Sequence, residues 1–143
     1  MDRADLPKMK GNPIVPRLPE RSTSKSAGYD IRTLSDGWIM PGQTIVCRTG
    51  LTSYMQDDEV MFLQGRSGLA FKHGVRLVNC TAVIDADYTG EILVGLRNDG
   101  NEAYHVQFGD KVAQAVFMKF ALADNDEAGN GKERTGGLGS TGR

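Results

Sequence analysis

Ala82-Val83-Ile84-Asp85-Ala86-Asp87-Tyr88-Thr89-Gly90-Glu91-Ile92-Leu93-Val94-Gly95-Leu96-Arg97-Asn98-Asp99-Gly100-Asn101 reads as strand, acidic turn, strand and polar turn. The apolar runs Ala82 to Ile84 and Glu91 to Arg97 stop at clusters of Asp, Gly and Asn, which bond to their own backbone or tolerate positive φ. The same rhythm continues in both directions. Gly37-Trp38-Ile39-Met40 runs into Pro41-Gly42, Thr44 to Cys47 resumes an extended pattern, and Glu59 to Leu63 follows Asp57-Asp58. Further strands are expected over Val75 to Val78, Tyr104 to Phe108 and Lys111 to Met118, and Asn98-Asp99-Gly100-Asn101 is expected to close a hairpin. Turns about every ten residues imply an all-β sandwich or barrel. Only Ser67 to His73 is predicted to be helical, with Ser67 as a possible cap and Gly74 as the stop.

A chain of 143 residues is one domain by size. Residues 1–19, rich in proline, are predicted to be an arm, residues 20–123 the β domain, and residues 124–143 a polar linker and Gly-rich tail. A net charge of -1 and a pI near 6.1 provide no global field for duplex nucleic acid or an anionic membrane, so an anionic ligand has to be met locally. Cys47 and Cys80 lack metal-ligand spacing, and with 2 histidines no zinc cluster is expected. Both are expected to be reduced core thiols. Met1 to Lys10 holds no apolar run and no segment approaches a membrane span, so an intracellular, cytoplasmic protein is expected.

Chemistry points to two places. A carboxylate at a strand end can face a pocket and take a proton from water, which makes Asp85 a candidate general base; the alternative is that Asp85-Ala86-Asp87 only punctuates a turn. The chain ends Arg134-Thr135-Gly136-Gly137-Leu138-Gly139-Ser140-Thr141-Gly142-Arg143. Glycines admit close backbone N–H groups, hydroxyls add donors and arginine grips phosphate, so phosphate binding competes here with a plain polar tail.

AGYDI from Ala27, GRSGLA from Gly65, AVIDADYTGE from Ala82, GDKVAQAVF from Gly109 and RTGGLGSTG from Arg134 occur in this order. Together they resemble the motifs of the trimeric dUTP pyrophosphatase (dUTPase) family over about residues 20–142. The resemblance implies a jelly-roll-like antiparallel β-barrel, a homotrimer with sites between subunits, and a tail that closes over the substrate. It also implies Mg2+-dependent hydrolysis of dUTP to dUMP and pyrophosphate, which limits uracil entry into DNA and supplies dUMP for thymidylate synthesis. By the family pattern Asp85 activates the water that attacks the α-phosphorus. Tyr88 packs on the deoxyribose and excludes a 2′-hydroxyl, while Asn79 lies at the uracil pocket, on a hairpin whose backbone reads the base. Arg66, Ser67, Gly68 and Gln114 meet the triphosphate, and Asp30 reaches the metal through water. In the tail, Arg134, Leu138, Gly139, Ser140 and Thr141 complete the substrate contacts.

The chain departs from the pattern at Ala82, where the family has Gly, and at Gln64-Gly65, where Pro often precedes the arginine. Leu138 stands where Phe usually covers the uracil, and Arg134 is one residue closer to it than in the commonest spacing. Asp87 and Glu91 are expected to be loop-solvating groups. A dCTP deaminase shares the implied fold but usually lacks a GSTG tail; a nucleotide-sensing module with a regulatory protein partner is the alternative outside catalysis.

Overall fold

The structure is a computed structural model that describes residues 9–11, 18–128, 134, 136, 137 and 142. In chain order its elements are β1 (Met9–Gly11), β2 (Glu20–Arg21), β3 (Tyr29–Arg32), β4 (Gly37–Ile39), β5 (Thr44–Arg48), β6 (Leu51–Ser53) and β7 (Glu59–Gln64). There follow α1 (Ser67–His73), β8 (Val75–Leu77), β9 (Thr81–Ile84), β10 (Leu93–Asn98), β11 (Tyr104–Val106) and β12 (Lys111–Lys119). Within the expected arm, β1 pairs antiparallel with β6.

The strands form a five-stranded sheet in the order β2-β3-β12-β7-β9, a three-stranded sheet β5-β10-β8, and the pairs β1-β6 and β11-β4. All the described pairings are antiparallel. The result is jelly-roll-like and all-β, with no closed barrel among the described residues. In β10 the side chains of Val94, Leu96 and Asn98 point inward in alternation, as the period of two requires. Val94 and Leu96 meet Ile31, Ile39, Leu63, Leu77 and Ala113 in one core.

Several sequence expectations change here. Asn98 to Asn101 is not a hairpin, because β10 pairs with β5 and β8 while β11 pairs with β4. The turn is a corner between sheets, and Asn98, fully buried, organises it. Its amide donates to the Ile39 carbonyl at 2.8 Å and the Glu102 carbonyl at 2.7 Å, and its oxygen accepts the Gly100 N–H at 2.8 Å. A buried amide with both ends satisfied adds direction while its hydrogen bonds offset the cost of desolvation. The Asn79 segment likewise lies between strands of different sheets, since β8 pairs with β10 and β9 with β7.

Helix α1 begins from Arg66, in extended backbone, with no side-chain cap bond, so Ser67 is the first helical residue and not the cap. Gly74 ends it in the left-handed region at φ 68°, as expected. Cys47 is a buried thiol, whereas Cys80 is exposed on the loop after β8 and is not in the core.

Candidate active site

Three neighbouring strands bring the first group of polar residues together. Gln114 of β12 lies opposite Asp30 of β3 on one side and Gln64 of β7 on the other. Cross-strand partners are about 5 Å apart, so register alone places these three side chains in one row. The chain leaves β7 through Gly65 into Arg66, Ser67 and Gly68, and these last three line one open cavity with Asp30, Gln64, Gln114, Ser22, Ser26, Ala27 and Gly28. Gln114 Nε2 donates to the Gly65 carbonyl at 2.9 Å, which ties β12 to the start of the Arg66 loop.

Asp30 is the acidic centre of this group, its side chain 14% exposed between Lys111 Nζ at 2.8 Å and Arg66 Nε at 3.4 Å. Partial burial pushes its carboxyl up, but the hydrogen bond from Lys111 and the charges of Arg66 and Lys111 outweigh that and hold it below the ordinary carboxylate range. The result is a carboxylate flanked by two cations, beside an exposed serine and glycine.

The second group lies past the opposite end of the same strand pair. β7 and β9 run antiparallel with Gln64 opposite Thr81 and Met61 opposite Ile84. Arg66 follows the Gln64 end and Asp85 follows the Ile84 end, about 13 Å of strand further on. The Tyr88 N–H donates to the Asp85 carbonyl at 3.1 Å, and the Tyr88 hydroxyl donates to the Glu91 carbonyl at 2.7 Å. These two bonds fold the segment into a compact turn. Gly90 is required there, because a Cβ would stand 2.8 Å from the Tyr88 hydroxyl.

The tail arginine sits on this turn. Arg134 bonds to Asp85 through Nη2 and to Asp87 through Nε at 2.9 Å, with its guanidinium 5.9 Å from the Tyr88 ring centre. The hydrogen bond that Arg134 donates to Asp87, with the charges of both acids, raises its already high pKa. A Cβ on Gly137 would approach the Tyr88 ring to 3.0 Å, so this glycine lets the tail backbone lie against the aromatic face.

The dUTPase family profile matches residues 16–142. The deoxyuridine 5'-triphosphate nucleotidohydrolase of Lactococcus lactis is 42% identical over 131 residues, covering 87% of each chain. The chain belongs to the dUTPase family. The solved dUTPase of Streptococcus mutans superimposes with a TM-score of 0.76 at 32% identity, over 83% of this chain and 100% of that one. At 22% identity, a mutant dUTPase from phage phi11 of S. aureus shares the fold with a TM-score of 0.74, over 85% of this chain and 95% of that one. Its structure is described as revealing the coordination of a structural Mg(II) ion.

Of the dUTPase residues expected from sequence, Asp30, Arg66, Ser67, Gly68 and Gln114 gather in the cavity on β3, β7 and β12. Asp85, Tyr88 and Arg134 gather at the turn after β9, and Asn79 lies alone on the exposed loop after β8. Leu138, Gly139, Ser140 and Thr141 lie outside the described residues.

Sequence reasoning missed four contributors to these two groups. Lys111 holds Asp30, and Gly28 leaves room for Gln114, since a Cβ there would stand 2.3 Å from its Oε1. Both belong to quoted motifs, but which neighbour each meets depends on strand pairing. Asp87 and Glu91, expected to be solvating groups, both have partners. Asp87 takes Arg134, while Glu91 accepts the Gly50 N–H at 2.8 Å and pairs with Arg48 at 3.1 Å. The expected hairpin at Asn79 is also corrected, because β8 and β9 do not pair with each other.

Proposed function

We propose that this dUTPase-family chain hydrolyses dUTP to dUMP and pyrophosphate, using the cavity residues for the triphosphate and Asp85 to activate the attacking water. The observation that carries this reading is the gathering of Arg66, Ser67, Gly68 and Gln114 around Asp30 in one polar cavity. Guanidinium, hydroxyl, amide and backbone donors without bulk apolar surface suit an extended run of phosphate oxygens.

Asp85 is a half-exposed carboxylate with room for a water, and no covalent intermediate is required. The water gives a proton to Asp85 as its oxygen bonds to the α-phosphorus, and pyrophosphate leaves with the electrons of the broken bond. Arg66 and Gln114 would steady the leaving phosphates, while Arg134 would exchange Asp85 and Asp87 for phosphate as the tail closes and excludes water. Tyr88 would face the deoxyribose and Asn79 the uracil.

Magnesium fits the donor set. Among the described residues no three His, Cys, Asp or Glu groups gather into a cage, which suits an ion carried in on phosphate oxygens with Asp30 reaching it through water. When bound it would neutralise charge on the triphosphate.

Cavity and base lie at opposite ends of β7 and β9 in one chain, so a site that uses both takes them from two copies. From the family resemblance we read that assembly as a homotrimer, with residues 1–19 as an arm, 20–123 as the β domain and 124–143 as linker and closing tail. No described helix is long and apolar enough to cross a membrane, and a cytoplasmic enzyme is in keeping with this reading.

Mixing Asp85→Asn subunits with Arg66→Ala subunits tests the assignment. Each parent is expected to be nearly inactive, while mixed trimers, verified by mass, regain part of the wild-type pyrophosphate release. Mixed trimers as inactive as their parents would mean that base and cavity do not meet across subunits.

A further inference from the structure

Residues 78–80 carry Asn79 between two sheets; the Val78 N–H still donates to the Gly95 carbonyl of β10 at 2.9 Å, and beyond that bond something other than β pairing has to hold their shape. Part of the answer is local. The Cys80 N–H donates to the Leu77 carbonyl at 3.2 Å, the Thr81 N–H to the Asn79 carbonyl at 2.7 Å, and Cys80 takes the left-handed conformation at φ 62°. That conformation is unfavourable for any residue with a Cβ and persists only where neighbours over-determine it.

The remaining support is charged. Arg76, in the middle of β8, donates through Nη1 to the Leu77 carbonyl at 3.0 Å and reaches the Val78 carbonyl at 3.5 Å. Its Nε is held by Asp99 Oδ2 at 2.6 Å, and Asp99 Oδ1 takes Arg97 Nε at 2.8 Å. Asp99 is fixed in turn by its own N–H, which donates to the Gly74 carbonyl at 2.9 Å. One guanidinium therefore links the sheet corner at Asp99 to the last carbonyl of β8 and the first carbonyl of the loop. Only a planar fork with separate donors on Nε and Nη does this at once.

We propose that Arg76, seated by Asp99, is a positioning residue that sets the shape of the 78–80 loop and thereby the enzyme's preference for uracil over cytosine. This rests on the reading above that Asn79 and its loop meet the base. A loop that reads donor and acceptor positions discriminates only while its own groups stay in place; once it relaxes, the correct base loses contacts and the wrong one loses its penalty.

The test is steady-state kinetics of the full chain on dUTP and dCTP, for Arg76→Ala, Arg76→Lys and Asp99→Asn, with Asn79→Ala alongside. Arg76→Ala is expected to raise KM for dUTP about tenfold with kcat within about twofold, and to lower the dUTP to dCTP ratio of kcat/KM by a similar factor. Arg76→Lys is expected to fail as a rescue, because an ammonium reaches Asp99 or the carbonyls but not both, and Asp99→Asn to give about a threefold effect. Inhibition by inorganic pyrophosphate should not move, and amide NMR shifts should concentrate at residues 78–81. An unchanged KM and ratio in Arg76→Ala beside a raised KM in Asn79→Ala would overturn the role of Arg76 alone. No effect from Asn79→Ala either would also remove the reading of the loop. Equal weakening of dUTP and pyrophosphate would reduce Arg76 to general stability. Should Arg76→Ala not fold, Arg76→Lys and Asp99→Asn carry the same comparison.

Discussion

The cavity side of the site and its base side are built by different means. Asp30, Gln64 and Gln114 occupy facing positions on β3, β7 and β12, so their spacing is a property of backbone pairing. Asn79, Asp85 and Tyr88 lie on segments that have just left a strand, and single hydrogen bonds and ion pairs hold them. A ladder spreads any disturbance over many bonds, whereas a loop concentrates it in one or two. Of the residues proposed for the cavity, Asp30 and Gln114 sit on the ladder, while Arg66, Ser67 and Gly68 follow directly after it. The groups proposed to meet a base, a water and a closing tail sit where the backbone is less constrained.

The sharpest test of the base side is Asp85→Asn. The amide keeps the shape and removes the basicity, so kcat for dUTP is expected to fall by about 100-fold to 10,000-fold while dUTP binding, measured by calorimetry, is retained. Turnover within a few-fold of wild type would take Asp85 out of the chemistry.

On the cavity side the vulnerable point is a missing side chain. Gly28→Ala places a Cβ 2.3 Å from Gln114 Oε1, the free end of a side chain, so Gln114 must turn away and lose its bond to the Gly65 carbonyl. We expect kcat/KM to fall about tenfold, mainly through KM, with the melting temperature within a few degrees of wild type. A normal KM would show that Gln114 does not meet the substrate.

The smallest effect concerns acid stability. Asp30 titrates lower in the folded chain than its unfolded value of about 3.9, so the folded state binds fewer protons across that interval. Its contribution is fully present above the unfolded value and is lost as pH falls through the folded one. Lys111→Met removes the partner whose bond lowers this pKa most, and the acid-unfolding midpoint, followed by circular dichroism, is expected to move to higher pH. An unmoved midpoint would mean that the pair adds nothing net to stability.

The two halves also differed in how far they could be read beforehand. Ser67 to His73 was legible as a helix and Gly74 as its stop, because a left-handed glycine after a short apolar pattern is a local signal. Eight of the described strands were legible from turn residues at their ends, whereas β1, β2, β3 and β6, at two to four residues each, were too short to show a period. The partners were not: Asn98 to Asn101 looks like a hairpin over four residues, but β10 and β11 enter different sheets because their apolar faces are buried against strands far away in the chain. Lys111 and Gly28 were present in recognised motifs, yet their contacts with Asp30 and Gln114 exist only through the β3 to β12 register.

Residue chemistry and order along the chain were enough to reveal the turn rhythm, the all-β class and the acids, amides and glycines of the dUTPase motifs, since these signals act within a few residues. Folding in three dimensions was needed to divide those motifs between two ends of a strand pair, to set Arg134 on Asp85 and Asp87, and to bring Arg76 and Asp99 to the loop that bears Asn79. The Arg76–Asp99 pair joins residues 23 apart and the Arg134 bonds join residues 47 and 49 apart, chosen by long-range burial and register, which local propensity does not encode.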